Sequence, residues 1–497
     1  MKKNKHMKNI FKYINVLIAV LLLASCDAYL DVNTDPNNPT SVTPDLVLPT
    51  AQKYTANVIQ CTDGGGRRMN HVGNLMMYNW SQTDGFSWYT DESKYLVTSS
   101  FYQFIFENSY SNCLKQYNIL TELDPMYDYY KAIGRIMKAY HFQLLVDFYG
   151  DVPYSEALQR GGNPAPTYDG AQTIYEDLIV ELSGAINDID NAPINVVEVG
   201  DDDVMFAGDM DMWKQFANSV KLRILTRQMS MSGRDAYIQA EMDAIVAEGS
   251  GFITADVGIN PGYTEGDEGK QNPLWNMMGT DAGGTVTMNN NATCASDYII
   301  AYLQGTNDPR IDFIYEEPTD GHLGIPQGLL NYPDNTTFEY VSNLGPGILK
   351  GGDMDAIIFT LAENYFNQAE AAENTFLAGN AQTLYENGIQ ASFDYLGAGG
   401  AGGYYGQPIA NVSWAASPDK LEAIITQKWI AVNSITAEQS WFDYNRTGYP
   451  LNLPISLQAS TPDRPVRLAY PSSEISANGG NVPSQPDVFS TKIFWGN

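Results

Sequence analysis

Basic side chains are scarce in this chain: 28 Lys and Arg stand against 58 Asp and Glu in 497 residues, a formal net charge of −30. So acidic a surface excludes nucleic acid and anionic headgroups as partners, because phosphate binding needs basic stripes. Long apolar runs are missing too. The longest, about ten residues at the N-terminus, is too short for a spanning helix, which excludes a polytopic membrane protein. Cysteine is limited to four, with no Cys-x-x-Cys pair, so zinc-ribbon and thioredoxin-like readings fail. The four histidines, His6, His71, His141 and His322, are scattered and suggest no metal constellation; His141 falls mid-helix as a packed core side chain. There is no Gly-x-Ser-x-Gly elbow, no His-Glu-x-x-His and no phosphate loop. Gly64-Gly65-Gly66-Arg67-Arg68 comes nearest to the last but lacks its spacing and its Lys-Ser/Thr. A glycosidase needs two carboxylates placed by the fold, which 58 acids do not single out. No catalytic residue is assigned, and the chain reads as a non-enzyme. What is abundant is aromatic: 19 Phe, 8 Trp and 32 Tyr within 44% hydrophobic residues, ample core for a folded protein.

The N-terminus reads as an address. Lys2, Lys3, Lys5, Lys8 and Lys12 precede a short apolar stretch, Val16–Leu23, as in a secretory signal over residues 1–25. Leu23-Ala24-Ser25-Cys26 then resembles the lipobox of bacterial lipoproteins, which implies acylation of Cys26. Removing residues 1–25 takes five lysines and no acid, so the charge of −30 becomes −35. Such a body meets a membrane only through its lipid. Of Cys61, Cys113 and Cys294, at most one pair can form a disulfide. Residues 26–44, with Asp35-Pro36-Asn37-Asn38-Pro39, have the turn chemistry of a tether.

Residues 45–497 read as one helical domain. Apolar positions recur at helical spacing over 131–149 (Ile133, Ile136, Met137, Tyr140, Leu144, Phe148), over 174–189, over 213–224 and over 421–432. Residues 355–378 and 381–396 read as two antiparallel helices joined at Gly379-Asn380. These are pairs too small to bury a face alone, as in helical repeats, although no strict period is present. Between them lie polar, aromatic-rich tracts at 62–93, 191–210, 251–353, 398–418 and 443–497, and loops this long are usually functional. The fold class expected is all-α, helix pairs carrying long irregular insertions, the largest around 251–353. Sugars offer C–H faces to aromatic rings and hydroxyls to short polar groups. Two tracts meet that need. Tyr78–Tyr89 supplies Trp88 and Tyr89, with Trp80 as a further candidate that helical spacing also allows in the core. Tyr263–Tyr315 supplies Trp275, Asn290 and Arg310, the last with a structural ion pair to Asp308 as its competing reading. Asp201-Asp202-Asp203 with Asp209 and Asp211 offers oxygens to calcium, but lacks the Asp-x-Asp-x-Asp-Gly loop and reads better as a solvated acidic loop. No cofactor is expected otherwise.

Several segments, in order, resemble SusD/RagB-type nutrient-binding lipoproteins. They are Leu30–Pro39 (LDVNTDPNNP), Ile133–Leu158 with its Gly-Asp-Val-Pro-Tyr turn, Tyr175–Ile186, Trp213–Arg227, Leu361–Asn374, Gln427–Pro450 and Arg467–Glu474. The resemblance implies four TPR-like helix pairs and a lipid-anchored protein on the outer-membrane surface. It implies capture of glycan, or alternatively oligopeptide, for a SusC-like TonB-dependent transporter. The shared motifs are themselves structural: Gly150 as helix terminator, Pro153 as breaker, Trp429, Trp441 and Phe442 as fillers of helix crossings, Lys428 and Arg446 paired with acids such as Glu370 or Glu438. Two other classes compete with this reading, a surface glycan hydrolase and a TPR-like assembly scaffold without a small ligand.

Overall fold

The computed structural model describes residues 43–62 and 66–496, and Val47–Asn497 make one unit. The expected signal segment, Cys26 and residues 27–42 of the tether lie outside the described residues. Ten helices carry the architecture: α1 Pro44–Ile59, α2 Met69–Met76, α3 Asp128–Tyr149, α4 Ala171–Asp190, α5 Met210–Gln228, α6 Asp235–Glu248, α7 Leu361–Glu373, α8 Ala381–Leu396, α9 Lys420–Ala431 and α10 Glu438–Thr447. They form consecutive pairs, α3/α4, α5/α6, α7/α8 and α9/α10. Successive pairs join where α4 packs on α5, α5 on α7 and α7 on α9, and α10 closes against α2.

The helices stop for local reasons. Gly150 ends α3 at φ +76, a conformation that L side chains rarely adopt. Asp151 then turns back so that its carboxylate accepts the Ala171 N–H at the start of α4 (2.8 Å), and Val152 bridges Asp169. The Gly-Asp-Val-Pro-Tyr turn therefore terminates one helix and caps the next. Asp209 caps α5 by accepting from Asp211 and Met212, and Thr360 caps α7 by accepting from Glu363.

Two expectations need correction. The helix expected from 355 begins only at Leu361, because Ala356–Phe359 is a strand paired antiparallel with Val257–Ile259. Its Ile357-Ile358 run suits a buried strand as well as a helix, and the Thr360 cap separates the two. The acidic loop is not solvated throughout. Asp203 is buried, and its carboxylate accepts from Gln52, Trp213, Met205 and Gly208. Those four N–H donors occupy the oxygens that calcium would need.

The core is aromatic at its crossings and ionic at its centre. Trp429, Trp441 and Phe442 are at most 1% exposed, with Phe442 edge-on to Phe148 at 4.8 Å. His141 is fully buried as expected, and burial pushes its pKa down to about 3. Cys61, Cys113 and Cys294 are buried and form no disulfide with one another. Between α5, α7, α9 and α10, Arg223 grips Glu363 in a fork (2.7 and 2.9 Å), Arg446 grips Glu370 (2.6 and 2.8 Å), and Arg227 and Lys428 converge on Asp443 (2.5 and 2.8 Å). All are at most 2% exposed. Burial opposes ionisation of Asp443, but Lys428, Arg227 and Arg446 hold its pKa well below the carboxylate range. An ionic centre of this kind tolerates replacement of the whole set better than loss of one member.

Candidate functional site

The strand Trp80–Gln82 pairs antiparallel with Thr293–Ala295, which ties the N-terminal aromatic tract to the 251–353 insertion. Beyond the strand the chain wraps around its own Gln82. The Gln82 side-chain oxygen accepts the N–H of Trp88 (2.6 Å) and of Tyr89 (3.0 Å), while its amide donates to Phe86 O. Arg67 on a second short strand, Gly66–Arg67, donates to Trp88 O at 2.8 Å. The backbone of Trp88 is thus held from two sides, and its indole meets the Phe86 ring edge-on at 5.3 Å.

These anchors shape a pocket of about 400 Å³ whose lining includes Arg67, Arg68, Trp88, Asp91, Glu92 and Phe104. Phe104 is 52% exposed and Trp88 half-buried, so two apolar rings face the opening. Arg68 lies over the Phe104 ring at 5.3 Å, and Arg67 over Tyr89 at 4.9 Å. Glu92 at the pocket floor is 4% exposed. Burial raises its pKa, and it holds Arg67 at 2.8 Å while accepting from the Tyr102 hydroxyl at 3.0 Å. Burial works to lower the Arg67 pKa, but Glu92 outweighs it and the net shift is upward. Its guanidinium therefore stays charged, and 28% of the side chain remains exposed. Asp91, Thr90 and Ser100 are exposed at the rim. Rings for stacking, a fixed cation and short hydroxyl and carboxylate groups are what a sugar's two kinds of surface require.

Of the residues expected at a ligand site, the structure brings Trp88 alone to this pocket. Tyr89 is 2% exposed, its hydroxyl bonded to Thr293 and its ring packed on His71 at 5.3 Å. Trp80 is 1% exposed and donates to Ser434 Oγ at 2.8 Å. Arg310 is fully buried: it forks onto Asp308 (3.0 and 2.6 Å), donates to Ser392 and Gln427, and lies over the Phe393 and Tyr404 rings at 5.1 and 5.2 Å. These three are interior groups that line no part of the pocket, and Arg310 is engaged in the ion pair with Asp308. Trp275, in a short helix Pro273–Met278, is half-buried and lines no part of the pocket; Gly279 and Gly352 leave room for its ring, where a Cβ would come within 2.5 and 3.2 Å. Asn290 is half-buried and spends its amide on Met278 O. Arg67, Arg68, Asp91 and Phe104 were not expected here. The sequence signal for the two arginines is the Gly64–Arg68 run, whose likeness to a phosphate loop hides their role at the pocket edge.

No described helix is long and apolar enough to cross a membrane. No functionally curated protein matches the chain in sequence. Solved structures do match in fold. A chitin-binding SusD homolog from Flavobacterium johnsoniae superposes with a TM-score of 0.74 at 23% identity, covering 90% of this chain and 98% of the other. A SusD homolog from Bacteroides vulgatus gives a TM-score of 0.74 at 21% identity over 90% and 97%. One from Bacteroides uniformis gives 0.70 at 23% over 91% and 99%. The profile of the SusD-like family, described as starch-binding and associating with the outer membrane, matches residues 36–471. With that match spanning most of its length, the chain belongs to the SusD-like family.

Proposed function

We propose that this protein is a lipid-anchored cell-surface receptor that binds glycan in the pocket around Trp88 and passes it to a SusC-like TonB-dependent transporter. The family is one of carbohydrate-binding, non-catalytic proteins. The observation that carries the reading is the pairing of two accessible rings, Trp88 and Phe104, with a charged, fixed Arg67 in one cavity of about 400 Å³. The lipobox at Leu23–Cys26 supports the anchor, and the acidic body supports attachment through lipid rather than through its surface. The Flavobacterium johnsoniae relative is described as chitin-binding and the family as starch-binding, so oligosaccharides of β-linked N-acetylglucosamine and of α-linked glucose are the first ligands to try.

The test is calorimetric titration with maltooligosaccharides, chitooligosaccharides and a panel of oligopeptides. One stacking ring contributes about 1–2 kcal/mol, so Trp88→Ala weakens the bound glycan roughly five- to thirty-fold. Its melting temperature stays nearly unchanged, because the ring is half outside the core. Affinity unaltered in Trp88→Ala and in Phe104→Ala would remove the site from this pocket. Binding of peptides alone would replace glycan by the oligopeptide reading.

A further inference from the structure

A second cluster lies in the 251–353 insertion, apart from the pocket lining. The segment between the short helix Ile311–Ile314 and Ile325 is stapled at both ends to residues 342–344: Glu316 N–H donates to Asn343 O (2.9 Å), Ser342 N–H to Leu323 O (2.9 Å), and Tyr315 bridges Leu344. A turn at 318–321, with Gly321 N–H on Pro318 O and φ +92, folds the segment back on itself. That fold gathers Asp312, Glu317 and His322, so that one ligand atom from each lies within 4.8 Å of the others.

His322 makes the cluster more than an acidic patch. Its side chain is only 5% exposed, and its Nδ1 lies 2.9 Å from Ser342 Oγ. That oxygen also accepts the Leu323 N–H, so the hydroxyl is itself held in place. The other ring nitrogen, Nε2, points at Asp312 Oδ1 from 3.0 Å. A ring fixed through one nitrogen and presenting the other to carboxylates is the arrangement of a metal-ligating histidine with its outer partner. Neither Asp312 nor Glu317 has a Lys or Arg within ion-pair distance among the described residues, and Glu317 has no hydrogen-bond partner there. Two carboxylates brought together without a basic side chain repel, and a cation relieves that repulsion.

We infer that Asp312, Glu317 and His322 form a binding site for a divalent transition ion, zinc in particular. Imidazole nitrogen and carboxylate oxygen are both zinc donors, bound at about 2.0–2.2 Å, and three protein ligands leave a fourth position to water. Calcium takes six to eight oxygens and makes little use of imidazole. On binding, the ion takes the Nε2 lone pair while the neutral ring keeps its single proton on Nδ1, where Ser342 Oγ, 2.9 Å away, accepts it. Nothing in this site depends on the glycan pocket, so its fate and that of the proposed function are separable.

The experiment is calorimetric titration of the chelator-treated full chain with zinc chloride, and separately with calcium chloride, in a non-coordinating buffer. The site gives one equivalent of zinc and no comparable calcium binding. Glu317→Gln alters an exposed side chain without a partner, so it leaves folding intact and weakens zinc at least about tenfold; His322→Ala weakens zinc at least as much. Ser342→Ala weakens it about tenfold as well, through loss of ring orientation. Absence of a stoichiometric zinc heat, a heat unchanged in Glu317→Gln and His322→Ala, or equal binding of calcium would each overturn the assignment.

Discussion

Glu438 is fully buried at the start of α10, and burial pushes its pKa up to about 7 from the ordinary 4.5. A carboxyl raised in this way favours the folded state below its unfolded pKa, where both states hold the proton. Between about pH 4.5 and 7 the unfolded chain releases that proton more readily, so this contribution is lost as pH rises. The accumulated cost approaches about 3 kcal/mol by pH 8. Glu438→Gln keeps the size and removes the titration. Its denaturation midpoint should match wild type near pH 5 and exceed it increasingly towards pH 8; an offset that does not vary with pH would refute the argument. Single residues are also where the sequence misled. Aromatic loops announce themselves by composition, but composition does not say which way a ring faces. Tyr89 turns inward because its hydroxyl finds Thr293, 204 residues away, and Trp80 because its indole finds Ser434. Neither partner is visible in local spacing, whereas the Asp308–Arg310 pair, two residues apart, was.

At the level of elements, periodicity carried the long helices because an amphipathic stripe repeats over several turns. It failed at Ala356–Phe359, where four apolar residues suit either state, and at α6, whose buried positions are only Ile238, Met242 and Ile245. Contacts between elements left almost no trace. Gly73 in α2 lies against the start of α10 so closely that a Cβ would stand 2.1 Å from Glu438 N and 2.3 Å from Ala437 C. Both are backbone atoms of a buried helix start, which cannot swing aside. Gly73→Ala should therefore cost about 3 kcal/mol or more, the upper end of overpacking. Gly161→Ala, where nothing lies within 4 Å, is the control and should stay within about 0.5 kcal/mol. Urea midpoints for the two variants decide it, and near-equality would mean that α2 and α10 are free to separate.

For the molecule as a whole, the proposed transfer of glycan requires a partner, because capture at a cell surface feeds nothing unless the ligand then enters a channel. A stable lid on a transporter needs an interface well above about 2,000 Å². With the charge of −30 becoming −35 once residues 1–25 are removed, that contact either relies on shape and apolar area or meets a basic rim, and the second makes it sensitive to salt. The lipid supplies what the interface does not: holding the protein at the membrane raises its effective concentration beside the transporter without any added contact. Gentle detergent extraction of native membranes through a tag on this chain should recover a large β-barrel protein with it, more at low salt than at moderate salt. Cys26→Ala should fractionate away from the outer membrane and recover much less of the barrel, although its glycan affinity is unchanged because Cys26 lies far in sequence from the Trp88 pocket. Recovery of the wild-type chain alone at both salt concentrations, with glycan present, would count against the transporter. A Cys26→Ala variant that stays in the outer-membrane fraction and resists washing would count against the anchor while leaving the pocket untouched.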